Sequence, residues 1–299
     1  MNKKHLFLTL LIIGTACWGI SFPVTKMAVT GVSQPIFLLY RFGLATLVLA
    51  IVFFRQLKKT TKKSFIGGVL LSIPLTAAIY FQTWGLQHTS ASQCAFIAGM
   101  TVVVVPILKW LVYRKTVAAK IWLAGLVALA GLFVISIKGS LTIGLGDLFT
   151  IIGAIGFAGY LIQVERYSAT GNDIIPTIVP MFLTCTVIML GFALSDTRAS
   201  WLPDKPTFWP GIAYCALLST AFMYTVSNIS QRYIAAEKVA IIYLFEPVFA
   251  AVAAYFLLDE TLSWRLAVGG TLIVAGTIIS EIRSRRPGIK PLSPAPAIE

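Results

Sequence analysis

The chain is poor in the residues from which enzymes build catalytic and metal sites. Its 299 residues include two histidines and four cysteines, and charged residues make up only 12%. The cysteines, Cys17, Cys94, Cys185 and Cys215, lie in apolar stretches without metal-ligand spacing or a disulfide framework. The sequence also has no glycine-rich nucleotide loop and no nucleophile motif. We therefore expect no metal, no cofactor, no enzyme activity and no ATP-driven pumping within this chain.

Acidic residues are scarce as well, with 11 Asp and Glu against 24 Lys and Arg and a formal net charge of +13. Such a balance would indicate nucleic-acid binding if it formed a basic face on a soluble fold. However, hydrophobic residues make up 58% of the chain and the mean hydropathy is +0.86, which is too apolar for an ordinary soluble domain. The composition predicts an integral membrane protein whose surroundings are the lipid bilayer, with no nucleic-acid partner.

Apolar segments of about 18 or more residues recur along nearly the whole chain, which is the length that crosses a bilayer. We predict an all-α integral membrane protein with ten transmembrane helices, and nine is the nearest alternative. The predicted spans are 6–26, 34–54, 65–86, 89–111, 118–137, 147–166, 173–195, 208–231, 236–257 and 263–282. The Pro- and Arg-rich tail, 283–299, is predicted to be disordered and cytoplasmic.

The basic residues are distributed unevenly between the two sides of these spans. With a cytoplasmic N-terminus, most of the 24 Lys and Arg fall on the cytoplasmic side and Arg41 lies inside a span. The few that fall on the other side are Lys26, Lys138, Arg198, Lys205 and Arg265. This is the positive-inside asymmetry. It predicts a multi-pass protein of the cell inner (plasma) membrane with both termini in the cytoplasm.

Two of the spans carry the same polar stripe at helical spacing. The stripes are Thr76, Tyr80, Thr83 and Gln87 in the third span, and Thr220, Tyr224, Ser227 and Gln231 in the eighth. The spacing i, i+4, i+7, i+11 puts each set on one face of a helix. A polar face in lipid is costly unless it meets a partner or a water-filled path. We predict that both stripes line one central cavity.

The stripes belong to a longer internal repeat. Further matches occur at offsets of 141 to 145 residues, namely Pro106 with Pro247, Thr116 with Thr261, Gly125 with Gly270 and Gly131 with Gly276. Weaker matches pair Gly14 with Gly153 and Trp18 with Phe157.

Five spans per half is an odd number, so the second half would enter the membrane from the opposite side. We predict two inverted-topology five-helix repeats, 1–137 and 146–282, with a substrate site between them. Glycines, including Gly153, Gly156 and Gly159 in the sixth span, are expected to serve close helix packing.

Several short motifs in this order resemble one known family. They are Trp18-Gly19-x-Ser21-Phe22 with Lys26, Phe96-Ile97-Ala98-Gly99, Val104-Val105-Pro106, Gly146-Asp147-Leu148, Glu246-Pro247-Val248-Phe249 and Asp259-Glu260-Thr261-Leu262. Over residues 6–282 the chain resembles the EamA-type transporters of the drug/metabolite transporter superfamily. The resemblance implies a ten-span permease that exports or exchanges small metabolites, such as amino acids or related amphipathic solutes. The chain departs from the family at Arg114-Lys115, the counterpart of Asp259-Glu260, because many members carry an acidic residue in both halves.

Glu246 and Arg41 are the charges that we expect to act in coupling or gating. Glu246 lies midway along the ninth span, where an ionisable residue is a functional-site hypothesis by default. It is a candidate proton carrier, and the alternatives are a structural carboxylate or direct substrate contact. Pro247 directly after it frees a backbone carbonyl and predicts a kink.

Arg41 either pairs with Glu246, attracts a substrate carboxylate, bonds to another helix or snorkels to the external surface. Lys109 is expected to snorkel to the cytoplasmic surface.

Aromatic and amide side chains within the spans are predicted to line the substrate cavity. They are Trp18, Tyr80, Trp84, Tyr160, Gln163, Tyr224, Asn228 and Tyr243. A lining of rings and neutral polar groups suits partly apolar small molecules better than phosphates. For the Thr and Ser residues of the stripes, interhelical hydrogen bonding is the alternative.

The leading functional interpretation is a secondary active or facilitative transporter that exports small organic metabolites by alternating access. A nucleotide-sugar or lipid-linked-sugar carrier is the nearest alternative, and it would require inward-facing Lys or Arg near the midplane. A channel is a further alternative. The sequence leaves open whether protons are coupled to transport and whether the protein is a monomer or a homodimer.

Overall fold

A computed structural model of the chain describes residues 3–114, 116–136, 144–197, 200–259 and 264–281. Within these ranges every regular element is helical. The predicted disordered tail 283–299 lies outside the described residues. The described ranges also leave out Lys115 and three residues of the last motif, Glu260, Thr261 and Leu262.

The first half of the chain contains seven of the α-helices in the described part. They are α1 (Lys3–Val29), α2 (Gln34–Val52), α3 (Phe54–Leu57), α4 (Lys62–His88), α5 (Ala91–Gly99), α6 (Thr101–Tyr113) and α7 (Ala119–Ser136). The second half contains α8 (Leu145–Ala169), α9 (Ile175–Ser195), α10 (Phe208–Tyr214), a π-helical segment (Cys215–Phe222), α11 (Met223–Ser230), α12 (Ala236–Ile242), a 3-10 turn (Tyr243–Phe245), α13 (Glu246–Leu258) and α14 (Trp264–Glu281).

Eight helical stretches in the described residues are long and apolar enough to cross a membrane. They are His5–Val29, Gln34–Val52, Lys62–His88, Gln93–Tyr113, Leu145–Ala169, Ile175–Ser195, Phe208–Ser230 and Ala236–Leu257. They coincide with eight of the ten predicted spans. The predicted fifth and tenth spans correspond to α7 and α14, whose apolar stretches Ala119–Val134 and Ala267–Ser280 are shorter. Outward-facing apolar side chains such as Ile51 and Phe256, 67% and 74% exposed, are typical of a surface that lies in lipid.

Four backbone positions in the described residues have positive φ, two in each half of the chain. Gly31 ends the turn after α1 with φ 75° and Gly171 follows α8 with φ 76°. Arg114 ends α6 with φ 51° and Asp259 ends α13 with φ 52°. Left-handed residues at helix C-termini free the chain to turn away from the helix. The two pairs are separated by 140 and 145 residues, close to the offsets of the sequence repeat.

The fourth and ninth predicted spans are both discontinuous. The fourth is divided into α5 and α6 at Met100, and the ninth is divided into α12 and α13 by the 3-10 turn Tyr243–Phe245. Pro247 occupies the first turn of α13, where its missing N–H costs no hydrogen bond. The break therefore falls at the place where Pro247 predicts a kink, and it makes Glu246 the first residue of a helix.

Small residues permit close contacts between α7 and α14. A Cβ on Gly131 would lie 2.7 Å from the Leu272 Cβ, and one on Gly276 would lie 2.7 Å from the Ala128 Cβ. In α8, Gly153 and Gly156 pack against the backbone of α4. Close backbone approach is the usual role of small residues between helices in lipid.

Gly159 differs from these residues. A Cβ at this position would meet no atom within 4 Å. The packing role expected for Gly159 is therefore wrong.

Candidate functional site

An aromatic cluster surrounds Trp18 at the centre of the bundle. The centroid of its ring lies 5.0 Å from Phe157, 5.7 Å from Tyr224 and 5.3 Å from Tyr243. Tyr160 extends the cluster, 6.0 Å from Tyr224. All five are buried. These residues come from α1, α8, α11 and the 3-10 turn before α13. Four of them, Trp18, Tyr160, Tyr224 and Tyr243, are predicted cavity residues, and Phe157 is the fifth member of the cluster.

The tyrosine hydroxyls extend this cluster into a polar network. Tyr160 Oη donates to Asn228 Oδ1 at 2.6 Å, and Tyr243 Oη donates to Ser227 Oγ at 2.5 Å. Tyr224 Oη and Asn228 Nδ2 are buried without a hydrogen-bond partner among the described residues. Buried polar groups are seldom left unpaired because desolvation costs about 1–3 kcal/mol for each group. A rearrangement that brought a polar ligand or water to these atoms would relieve that cost.

Glu246 lies at the edge of the same cluster. Its side chain is 5% exposed, and Oε1 has no hydrogen-bond partner in the described part of the chain. It lines a cavity of about 20 Å³ together with Trp18, Gln82 and Tyr243. That volume has room for about one water molecule. Gly19 lets α1 approach this point, since a Cβ there would lie against the Glu246 carbonyl.

Arg41 lines a second cavity that also includes Trp18, and it is 4% exposed. Its Nε donates to Thr220 Oγ1 at 2.8 Å and Nη2 donates to Ser219 Oγ at 3.1 Å. Both acceptors belong to the π-helical segment, a form of helix that is frequent at functional sites. The guanidinium therefore bonds to another helix instead of snorkelling. It forms no ion pair with Glu246 in this structure.

Arg41 and Glu246 face two neighbouring cavities with shared walls. The cavity at Arg41, about 10 Å³, is also lined by Trp18 and Gln82. One buried cation and one buried carboxyl group therefore flank the same indole and amide side chains. Both cavities are too small for an organic solute, so this conformation is closed.

Tyr80 and Trp84 do not reach this site. Trp84 stacks on Phe149 with ring centroids 4.1 Å apart, and Tyr80 lies 5.4 Å from Phe192. Both are half-buried and line neither central cavity. The cavity side of α4 is instead formed by residues including Gln82. Thr83 of the α4 stripe does line the cavity at Arg41, beside Gln82. The structure therefore corrects the prediction only for Tyr80 and Trp84, whose rings pack against Phe192 and Phe149 instead.

Two predicted glutamine positions also need correction. Gln163 lines an outer groove with Arg166 and not the central cavities. Gln231, the last residue of the stripe in the eighth span, lines neither central cavity. It is 4% exposed, and neither of its amide atoms has a partner in the described ranges.

Lys109 does not snorkel to the surface as the sequence predicted. Its Nζ lies 2.5 Å from Glu165 Oε2 and also forms an ion pair with Glu237. The side chains are 9%, 24% and 16% exposed, respectively. Two carboxylates offset the cost of burying one ammonium. This ion-pair triad links α6, α8 and α12, three elements that also line the central cavity.

The opposite end of the bundle is linked by hydrogen bonds. Lys26 Nζ donates to the Thr89 carbonyl at 2.5 Å. Asp147 accepts from Thr89 Oγ1 at 3.1 Å and from Gln93 Nε2 at 2.9 Å. These contacts join α1, the start of α5 and the first turn of α8. The central cavities lie between this set of contacts and the triad.

Gln82, Phe157 and the triad were not singled out as site residues from the sequence. The signal that could have found the triad is the position of its three charges, each near the same membrane end of its predicted span. Gln82 and Phe157 had no such signal. Within the described part of the chain, no three His, Cys, Asp or Glu residues are grouped closely enough to hold a metal ion.

Comparisons with known proteins agree with the motif resemblance. The model of the EamA-like transporter family matches residues 5–137 and 144–281. An uncharacterized transporter of Archaeoglobus fulgidus is 30% identical over 271 residues, 89% of this chain and 82% of its own length. The uncharacterized transporter YyaM of Bacillus subtilis is 23% identical and covers 92% of this chain and 93% of its own.

A solved crystal structure shares the fold, with a TM-score of 0.72 at 13% identity over 94% of this chain and 97% of its own. Together with the apolar helices described above, these matches make the protein a multi-pass membrane protein. The chain belongs to the EamA-like transporter family.

Proposed function

We propose that the chain is a secondary transporter that exports small organic metabolites carrying both an amino and a carboxyl group, such as amino acids. The observation that carries the proposal is the pair of buried, opposite charges in two cavities that share Trp18 and Gln82. Among the described residues, the Arg41 guanidinium bonds to two neutral hydroxyls, and Glu246 presents an unpartnered carboxyl oxygen. A solute with a carboxylate and an ammonium would meet both, with its apolar part against the aromatic cluster.

We further propose ten spans arranged as two inverted repeats, 1–137 and 146–282. α7 and α14 each have 18 residues, about 27 Å of helix, close to the thickness of the hydrocarbon core. Gly131 packs against the Gly269 carbonyl, and Gly276 packs against the Ala124 carbonyl. The two contacts are equivalent, because Gly276 follows Gly131 by 145 residues and Gly269 follows Ala124 by 145 residues. The equivalent left-handed residues and the two discontinuous spans support the same symmetry. Discontinuous helices near the midplane are typical of transporters built from inverted repeats.

The orientation follows from the basic residues. The end of the bundle that carries the triad also carries exposed basic residues such as Arg55, Lys59 and Lys63. We assign it to the cytoplasm of the cell inner membrane, together with both termini, by the positive-inside rule.

Alternating access requires that each end of the cavity open in turn. The triad of Lys109, Glu165 and Glu237 would close the cytoplasmic end, and the contacts of Lys26 with Thr89 would close the external end. Glu165 follows Lys26 by 139 residues, the offset that also relates Gly14 to Gly153. The two closures therefore occupy equivalent positions in the proposed repeats, as expected when one scaffold opens to either face.

Glu246 is proposed to exchange a proton for the ammonium group of the substrate. A carboxyl group in a dry site is stable when it carries a proton or pairs with a cation. Alternation between these two states would couple outward movement of the solute to inward movement of protons. No catalytic step is needed, and the cations that line the two cavities are too few for a nucleotide sugar.

The test is transport by the purified protein in liposomes, with and without a pH gradient. Three probes separate the two charges: phenylalanine, its analogue without the amino group, and its analogue without the carboxyl group. We expect saturable counterflow and gradient-driven flux of phenylalanine, and neither for its two analogues. Flux of nucleotide sugars, or non-saturable ion-like flux, would overturn the proposal in favour of a sugar carrier or a channel.

Two variants test the roles of the charges. Glu246→Gln is expected to lose pH-gradient-driven flux while retaining the fold, and Arg41→Gln to lose discrimination in favour of carboxylates. Tyr80→Phe, outside the cavities, serves as the control. Unchanged coupled flux in a well-expressed Glu246→Gln protein would refute the proton-exchange role.

A further inference from the structure

A long groove runs along the outside of the bundle at its basic end. It encloses about 620 Å³ and lies over α8, with α4 on one side and the end of α6 on the other. Ile66, Leu70 and Ile73 of α4 line it and are 46%, 56% and 56% exposed. Nothing in the described part of the chain covers these side chains. The groove is therefore open to the surrounding membrane.

The mouth of the groove is basic. Lys63 begins one wall, and Arg166 lies where α8 approaches its end. The Arg166 guanidinium is held 4.4 Å above the ring of Tyr113, which fixes its position by a cation–π contact. Neither Lys63 nor Arg166 forms an ion pair with a described carboxylate. The nearby Asp173 is paired with Arg232 instead.

The length of the groove matches one leaflet of a bilayer. Pro74 lies eleven positions after Lys63 in α4, which corresponds to a rise of about 16 Å along the helix. Half of a hydrocarbon core of about 30 Å is about 15 Å. An acyl chain that follows α4 from the basic mouth would therefore end near the midplane, beside Pro74.

From this geometry we propose that the groove binds one anionic phospholipid, with its phosphate between Lys63 and Arg166 and one acyl chain along Ile66, Leu70 and Ile73. Basic side chains at a membrane surface attract anionic head groups, and the apolar wall accounts for the chain. This site is separate from the substrate cavity. It does not depend on which solute the protein transports.

A second outer groove provides a contrast within the same molecule. It encloses about 400 Å³ between α2, α9 and α10, and its lining includes Tyr40, Leu44 and Trp209 but no charged residue. An apolar groove of this kind offers nothing that distinguishes one head group from another. Of these two grooves, the one beside α4 is therefore the one expected to bind an anionic lipid selectively.

Native mass spectrometry of the full-length protein in detergent tests the proposal. Phosphatidylglycerol and phosphatidylcholine with the same acyl chains are the two probes. We expect one phosphatidylglycerol molecule to bind more tightly than phosphatidylcholine. The double variant Lys63→Gln/Arg166→Gln should weaken that binding about five-fold for each charge removed, roughly 25-fold in all.

A matched control removes two exposed charges from the same end of the bundle outside the groove. Arg55→Gln/Lys59→Gln should change the affinity for phosphatidylglycerol by no more than about two-fold, because neither residue lines the site. A separate variant, Leu70→Trp, fills the groove at an exposed position and should weaken binding of both lipids.

Three results would overturn the site. The first is equal binding of the two lipids by the unmodified protein. The second is an equal loss in the double variant and its control, which would indicate diffuse attraction. The third is displacement of the lipid by glycerol phosphate at similar concentration, which would indicate a site for the anion alone.

Discussion

Replacing Lys109 by methionine tests the proposed cytoplasmic gate most directly. Methionine keeps most of the apolar stem of the lysine but removes the charge that pairs with Glu165 and Glu237. The two carboxylates would then lie without a cation at the junction of α6, α8 and α12. The change acts on the closed state, because only that state requires the three elements to meet.

The size of the effect follows from burial. Removing one partner of a buried ion pair costs about 3–5 kcal/mol. Because Glu165 and Glu237 retain 24% and 16% exposure, we expect the lower end of that range. A loss of about 3 kcal/mol from the closed state raises the open-to-closed ratio roughly 150-fold.

The assay is the rate at which a thiol in the cavity reacts with a membrane-impermeant maleimide added from the cytoplasmic side. Ala240, which lines the cavity and is 2% exposed, is the position for the introduced cysteine. We expect labelling of Ala240→Cys to be about 100-fold faster when Lys109→Met is also present. Gel filtration of both proteins checks that the fold is retained.

The matched control is Arg232→Gln, which breaks the ion pair with Asp173 at the same end of the bundle. Those side chains are 29% and 57% exposed. Exposed pairs contribute only about 0–1 kcal/mol, so labelling should change by a few-fold at most.

A triple variant, Lys109→Met with Glu165→Gln and Glu237→Gln, leaves no unpaired charge and should label more slowly than Lys109→Met alone. The reasoning fails if Lys109→Met labels no faster than Arg232→Gln. It also fails if the triple variant labels as fast as the single one.

Three further predictions concern the core of the bundle. Gly19→Val should lower the thermal unfolding temperature and reduce flux, because the new side chain would be forced against the Glu246 carbonyl at a cost of about 1–3 kcal/mol. Gly159→Ala should leave the unfolding temperature unchanged or raise it, since the new Cβ meets no atom and alanine favours the helix by about 0.5–1 kcal/mol. A lowered unfolding temperature for Gly159→Ala would contradict the packing described for α8. Tyr243→Phe leaves the Ser227 hydroxyl without its donor and should cost about 0.5–1.5 kcal/mol in thermal unfolding, and an unchanged unfolding temperature would show that the bond contributes nothing.

The stripe on α4 illustrates how far helical periodicity reaches. Its four residues do share one face, and Thr76 and Thr83 are buried as a polar face should be. However, Gln82 and Ala78 lie about 130–170° around the helix from the mean direction of the stripe, at about 100° per residue. They line the cavity, whereas Tyr80 contacts Phe192. Thr83 of the stripe does line the cavity at Arg41. Periodicity thus defined the face but not which of its side chains would reach a cavity.

The membrane class, eight of the spans and the repeat offsets were determined by the sequence alone. The reason is that lipid offers no hydrogen bonds to the backbone, so a long apolar run must become a helix wherever it occurs. Only the tertiary structure decided which side chains meet at the centre and how deeply a charge is buried. Lys109 stays inside because Glu165 and Glu237, distant in sequence, converge on it. The direction of each helix face depends on such long-range packing, and no local pattern of residues contains that information.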